Sequence, residues 1–270
     1  MIVDNTPVEH YPDLGLYAKR EDLSCPPPGP PFSKTRGVFA HIKNRPEKVI
    51  GVLDSAHSQA GHAVATACRL LGKTCVNYYP KFKTDTGIRP QQQASLDLGA
   101  KLVPLKATAS WALHHVARKD LEACWEDSYL MPNALKLPET VSETAAEVGR
   151  TAFPVGIDTL LVAVSSGTIA SGVIRGIIDH KVPIDTVVLH LGYNRPARSL
   201  ISYIEKASAR DLSSLKLIVI NEGYEYRDKV EDVQSPFPCN PYYDRKLLSW
   251  WLRPGDGRTE FGEALLWNVG

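Results

Sequence analysis

Short runs of continuous apolar residues alternate along the chain with longer stretches whose apolar positions recur every three or four residues. Lys48–Leu53, Thr74–Tyr79, Lys101–Leu105, Thr159–Val164, Thr186–Leu191 and Leu215–Ile220 are apolar almost throughout rather than at every second position, the pattern of parallel strands covered on both faces. Between them, Ala60, Ala63, Val64, Ala67, Leu70 and Leu71 mark one face of a helix, and Gly72 stands where a left-handed cap ends it. Further helices are predicted over Gln91–Leu98, Ala107–Lys119, Glu139–Thr151, Ala170–Asp179, Pro196–Ala207 and Tyr243–Leu252. Strand then helix, repeated, is the signature of a doubly wound α/β architecture.

Composition narrows the class without choosing a function. With 270 residues, 43% hydrophobic and 23% charged, the chain can bury a sizeable core, which excludes disorder, and one large or two modest domains are expected. No apolar run reaches the roughly 20 residues of a membrane span. The start, Met1-Ile2-Val3-Asp4-Asn5, lacks the order of a signal peptide, so a cytoplasmic protein is expected. A net charge of +1 gives no global field for a polyanion, and any contact with DNA would need a local patch. The five cysteines are an odd set without C-x-x-C spacing, which points away from a disulfide framework and from zinc. His57 and His62, five apart, and the adjacent His114-His115 lack the helical spacing of a metal pair, so no metal is expected.

Two clusters break the regular pattern. Pro26-Pro27-Pro28-Gly29-Pro30-Pro31 predicts a stiff, extended segment directly before Phe32-Ser33-Lys34-Thr35-Arg36-Gly37, which would position Lys34. Ser165-Ser166-Gly167-Thr168 leaves the apolar strand Leu160–Val164 and enters a small-residue helix, a turn that aims free amide N–H groups at an anion. A lysine after a rigid segment, a small polar loop after a strand, and a second such loop heading a helix together point to an aldehyde cofactor carrying a phosphate.

The order of these motifs over nearly the whole chain resembles the fold type II pyridoxal-phosphate enzymes, the tryptophan synthase β-like family. Within it, the resemblance is to the branch of 1-aminocyclopropane-1-carboxylate deaminase and D-cysteine desulfhydrase. Thr6-Pro7-Val8 is similar to that family's opening, Leu16–Leu23 to its K-R-E-D-L strand, and Phe32–Gly37 to the segment whose lysine carries the cofactor, a role the resemblance gives to Lys34. Asp54–Gly61 stands where the family has an S-x-N loop for the substrate carboxylate. Ser55, His57 and Ser58 are the implied carboxylate ligands, and Gln59 takes the place of the asparagine beside the cofactor ring. Ser58 also reads as an ordinary helix N-cap, and both roles are compatible. Ser165, Ser166, Gly167 and Thr168 occupy the phosphate loop with a single glycine.

Asn240–Lys246 resembles D-P-x-Y-x-x-K, which makes Tyr243 a candidate acid/base group, while Asp244, Arg245 and Lys246 are expected to be solvated opposite an apolar face of Leu247, Leu248 and Trp251. In the closing segment the family brings a hydroxyl to the pyridine nitrogen. Val269 stands there, so either Asn268 substitutes or that partner is missing.

The resemblance thus implies an α/β protein of two doubly wound parallel-sheet domains with a cofactor cleft between them. Residues 1–42 with 138–270 would form the larger domain and residues 43–137 the smaller, in a homodimer. The implied cofactor is pyridoxal 5'-phosphate, held by Lys34 as a Schiff base, with catalysis by Lys34, Tyr243 and Ser58. The implied activity is a lyase or deaminase cleaving a bond at the α-carbon of a small amino-acid substrate, or an α,β-elimination. The alternative is a compact phage-encoded decarboxylase, in the host cytoplasm, acting on an amino acid attached to thymine in hypermodified DNA. Lys81, Lys83 and Arg89, or Arg245, Lys246, Arg253 and Arg258, would then approach phosphates, and scattered surface charge is the competing reading. A binding module that lost its chemistry is a third reading, which the retained Lys34 opposes.

Overall fold

The structure, a computed structural model, describes residues 2–55, 57–83, 87–106 and 108–270. The chain divides into two units. The smaller comprises Cys25–Pro30 and Lys34–Glu139, and the larger comprises Ile2–Ser24, Pro31–Ser33 and Thr140–Gly270.

The larger unit opens with an antiparallel pair, β1 (Val8–Tyr11) and β2 (Leu16–Lys19). The smaller unit follows with α1 (Thr35–Lys43), β3 (Val49–Leu53), α2 (Ala60–Leu70), β4 (Thr74–Lys81), α3 (Pro90–Asp97), β5 (Lys101–Lys106), α4 (Ser110–Cys124) and β6 (Ser128–Leu130). Its sheet runs β5-β4-β3-β6, parallel throughout. Val76 and Tyr78 of β4 pack with Ala117 and Leu121 of α4 to form its core. The helix α1, expected with the larger domain, belongs to the smaller unit and packs on α2.

The chain then builds α5 (Pro138–Arg150), β7 (Thr159–Val164), α6 (Thr168–His180), β8 (Thr186–Leu191), α7 (Ala197–Ser208), β9 (Lys216–Ile220), α8 (Asp244–Leu252), α9 (Gly257–Phe261) and β10 (Ala264–Trp267). The larger sheet runs β1-β2-β10-β7-β8-β9, parallel from β2 onward. Every residue of β7 and of β10 is buried, as the unbroken apolar run of β7 predicts. Gly172 and Gly176 let α6 lie against α5: a Cβ at either would come within 2.5 Å of the Cβ of Thr144 or of Val148. Leu247, Leu248 and Trp251 face inward from α8, as their spacing predicts.

The segment Lys19–Asp22 is a buried charged lock. Lys19 Nζ pairs with Glu147 Oε1 at 2.7 Å, both side chains inaccessible to water, and Glu147 also accepts the N–H groups of Asn5 and Thr6. Arg20 grips both carboxylate oxygens of Asp22, at 2.9 and 2.8 Å. Asp22 in turn accepts Asn268 Nδ2. These bonds tie the beginning of the larger unit to its end and to α5.

Five prolines do not make Pro26–Pro31 extended. The segment turns, closed by the N–H of Gly29 on the carbonyl of Pro26 (2.9 Å), and Pro28 O lies 2.7 Å from His62 Nε2 of α2. Lacking N–H groups, prolines cannot pair with a strand, whereas their carbonyls still accept.

Candidate functional site

In parallel sheets ligands bind beyond the carboxyl ends of the strands, where loops and helix N-termini converge.

In the smaller unit, β6 leads to a turn at Asn133–Leu135 in which Ala134 (φ 59) and Leu135 (φ 48) are both left-handed, each at a steric cost of about 1 kcal/mol for residues with a Cβ. The strained turn presents the Ala134 carbonyl to Lys34, which stands at the N-cap of α1 and donates from Nζ at 2.9 Å. Burial, with the charge of Lys136 added, pushes the Lys34 ammonium down to about 8. Near neutral pH a useful fraction is therefore the neutral amine, which can attack an aldehyde.

From β3 the chain enters the loop Asp54–Gln59, of which Ala56 lies outside the described residues. Asp54 is buried and accepts the N–H of Ser55 at 2.9 Å. Burial pushes its carboxyl up to about 7, and hydrogen bonds from Ser55, Gly61 and Asn77 only partly offset this. Asp54 thus brackets the loop, holding the Ser55 N–H at its start and the Gly61 N–H just past its end. Ser55, His57, Ser58 and Gln59 are half-buried along it. Ser58 Oγ accepts the N–H of Ala60 (3.0 Å) from the position before the N-cap, which is Gln59 and not the expected Ser58, and Gln59 Oε1 is buried without a hydrogen-bond partner among the described residues.

In the larger unit, β7 delivers Ser165–Thr168 to the N-terminus of α6, whose first-turn N–H groups have no helical acceptor. Gly167 is left-handed (φ 93), and a Cβ there would come within 2.9 Å of the Tyr203 ring, so this single glycine is the one the turn requires. Thr168 Oγ1 lies 3.1 Å from both Ser166 Oγ and Tyr203 Oη. Arg195 donates to the Ser165 carbonyl at 2.8 Å, which places a guanidinium beside the loop. Neither Arg195 nor Tyr203 carried a sequence signal.

Tyr243 stands against the same loop. Its hydroxyl lies 3.3 Å from that of Tyr226, and burial pushes its phenol well above the usual range, opposed by a hydrogen bond with Ser165. The structure therefore brings Ser165 and Tyr243 together. Asp244 and Lys246 are not solvated: both are fully buried, while Arg245 is half-buried. Lys246 Nζ donates to Gly192 O at 2.6 Å and lies 4.6 Å from the Tyr224 ring. Asp244 Oδ1 accepts the N–H of Val269 at 3.0 Å, Oδ2 is buried without a partner, and burial raises the carboxyl to about 7. A carboxyl thus stands beside the backbone of the very position where the resemblance calls for a hydroxyl. Asn268 Nδ2 is taken by Asp22 and by Pro238 O, leaving Oδ1 buried and open.

Three of the four residues in the second basic set are committed elsewhere. Lys246 is inside, Arg253 pairs with Glu222 and Asp256, and Arg258 donates to Asp13 O, so these residues do not form a face for phosphates. Among the described residues no group of three His, Cys, Asp or Glu side chains could hold a metal, and no helix is long and apolar enough to cross a membrane.

These features fit the parts of pyridoxal phosphate: an amine of lowered pKa for an aldehyde, hydroxyls and helix amides for a phosphate, and open buried acceptors for a heterocycle. Comparison with known proteins agrees. Residues 1–210 match the family model for pyridoxal-phosphate dependent enzymes. A protein of Pseudomonas phage M6, the glycyl-dTMP PLP-dependent decarboxylase, is 49% identical over 279 residues, covering 100% of each chain. The crystal structure of an ACC deaminase homologue superposes with a TM-score of 0.80 at 17% identity, covering 100% of this chain and 90% of that one. A fungal L-serine ammonia-lyase from Rhizomucor miehei matches with a TM-score of 0.59 at 18% identity, over 81% of this chain and 76% of that one. The α/β architecture with parallel sheets is that of the fold type II enzymes, and the chain belongs to the family of pyridoxal-phosphate-dependent enzymes, with pyridoxal 5'-phosphate as its cofactor.

Proposed function

We propose that this chain decarboxylates a glycyl group attached to thymine in DNA. The observation that carries the reading is the 49% identity, end to end, with the phage glycyl-dTMP decarboxylase. The deaminase and ammonia-lyase structures, at 17% and 18% identity, share the fold alone, so they give no comparable ground for a free amino acid as substrate. Such a reaction belongs in the cytoplasm of an infected host.

When bound, pyridoxal phosphate supplies the electron sink for the pair left on the α-carbon as the carboxylate departs. The bond from α-carbon to carboxylate breaks, carbon dioxide leaves, and a proton is added to the same carbon. Lys34 would hold the cofactor through its aldehyde, and its Nζ, with a pKa of about 8, would hold and return a proton at the α-carbon. Ser55, His57 and Ser58 bind and orient the carboxylate on a loop whose ends Asp54 fixes. Ser165, Ser166, Gly167 and Thr168, with the first-turn amides of α6, take the phosphate. Tyr243 keeps its proton because burial disfavours the phenolate, so it acts as a donor. Asp244 Oδ2 and Asn268 Oδ1 are the acceptors for the ring.

The test is to incubate the cofactor-loaded protein with an oligonucleotide bearing glycyl-thymine and, separately, with free amino acids of the deaminase branch. Loss of one carbon dioxide from the oligonucleotide, with the amine retained, supports the proposal. Ammonia release from the free amino acids, with the oligonucleotide unchanged, overturns it.

A further inference from the structure

Beyond the carboxyl ends of β4 and β5 the smaller unit carries a surface that its packing does not explain. The strand register pairs Lys81 with Lys106, so two exposed ammonium groups leave adjacent strands side by side, and exposed Lys83 follows two residues later. Among the described residues no carboxylate pairs with any of the three. On the same edge Phe82 is 43% exposed, and Trp111, in the first turn of α4, is 77% exposed. Tryptophan ordinarily buries most of its ring, and an indole left in water on an edge that also carries these exposed lysines fits a partner that offers both negative charge and flat apolar faces.

We infer that this edge grips an opened DNA strand, its phosphates on Lys81, Lys83 and Lys106 and one base stacked on Trp111. The inference rests on the reading that the substrate thymine lies in DNA, and it adds the surface that would hold the polymer. Its physical basis is charge complementarity together with stacking, the two ingredients of sequence-tolerant single-strand binding. An opened strand is the form required, because chemistry at a base-linked atom inside a protein site takes the base out of the helical stack and leaves its neighbour to be restacked. The sequence offered Lys81, Lys83 and Arg89 as phosphate contacts; the register sets Lys106 beside Lys81, and the exposure adds Trp111.

The experiment uses the cofactor-loaded full chain and a fluorescein-labelled single strand of about 16 nucleotides, titrated at rising sodium chloride. Replacing the three lysines together (Lys81→Ala, Lys83→Ala, Lys106→Ala) should reduce the slope of log affinity against log salt by about 2. Trp111→Ala should weaken binding about 5- to 100-fold at fixed salt with little change in slope. Both variants should lose kcat/KM on glycyl-thymine within an oligonucleotide while keeping turnover of the glycyl-dTMP mononucleotide. Wild-type affinity, slope and oligonucleotide turnover in both variants would overturn the surface while the DNA reading stands. If the wild-type protein decarboxylates the mononucleotide but neither binds nor processes the oligonucleotide, the surface falls together with the polymer reading, and the decarboxylase chemistry survives.

Discussion

The two units treat buried charge in opposite ways. In the larger, Lys19 is matched by Glu147 and Arg20 by Asp22, so each of these charges faces an opposite one. In the smaller, Lys34 is offered a neutral carbonyl and is pushed down to about 8, while Asp54 has N–H groups but no cation and is pushed up to about 7. Matched charges hold a scaffold in place, and under-compensated ones exchange protons near neutral pH. Two neighbours on α8 depart from their own unit's habit: Lys246 is buried on the neutral Gly192 carbonyl and pushed down by burial, and Asp244 is buried with one open oxygen beside Val269 at the carboxyl edge of the sheet.

The contrast breaks most visibly at Lys19. Lys19→Met leaves Glu147 buried without its ammonium and should cost about 3–5 kcal/mol, read from urea unfolding. A cost below about 1 kcal/mol would mean that the pair is no lock. Asp244→Asn should be the reverse, with little loss of stability but a fall in kcat of about 100-fold, KM nearly unchanged and cofactor retained. If stability falls and kcat per folded molecule does not, Asp244 belongs with the scaffold.

Asp54 sharpens the comparison through pH. Its folded-state pKa of about 7 lies above the unfolded value near 4, so the stability it contributes is present below about pH 4 and is lost as pH rises to about 7. The Tm of the cofactor-free protein should fall by several degrees from pH 5 to pH 8, and Asp54→Asn should flatten that dependence. An unchanged slope in the variant would assign it to other groups. The smallest effect is expected at Gly167→Ala, about 1–2 kcal/mol for an L-residue at φ 93, with a methyl driven toward Tyr203. It should appear as faster loss of cofactor on dialysis while the fold persists.

Much of the fold was legible because buried parallel strands are continuous apolar runs: β7 and β8 begin and end where the pattern places them. The short strands β6 and β10 were not, since three or four residues carry no periodicity. The turn at Ser165–Thr168 could be read from a strand running into small polar residues, whereas its partners Tyr203 and Arg195 could not, because α7 and the segment before it announce nothing local. Asp244 and Lys246 were misread for a physical reason. Charge in an amphipathic helix argues for water, and only distant groups, Val269 for one and Gly192 for the other, reverse it. The left-handed Ala134 that meets Lys34 has no sequence signature, alanine being among the residues least suggestive of that conformation.

The most direct test of the central claim is to load the protein with pyridoxal phosphate, reduce it with borohydride and locate the modified peptide by mass spectrometry. A visible absorption band that disappears on reduction, with the cofactor mass on Lys34 and a loading rate that rises with pH and levels off near 8, is the predicted result. No band in excess cofactor, or an adduct on a different lysine, would contradict the account.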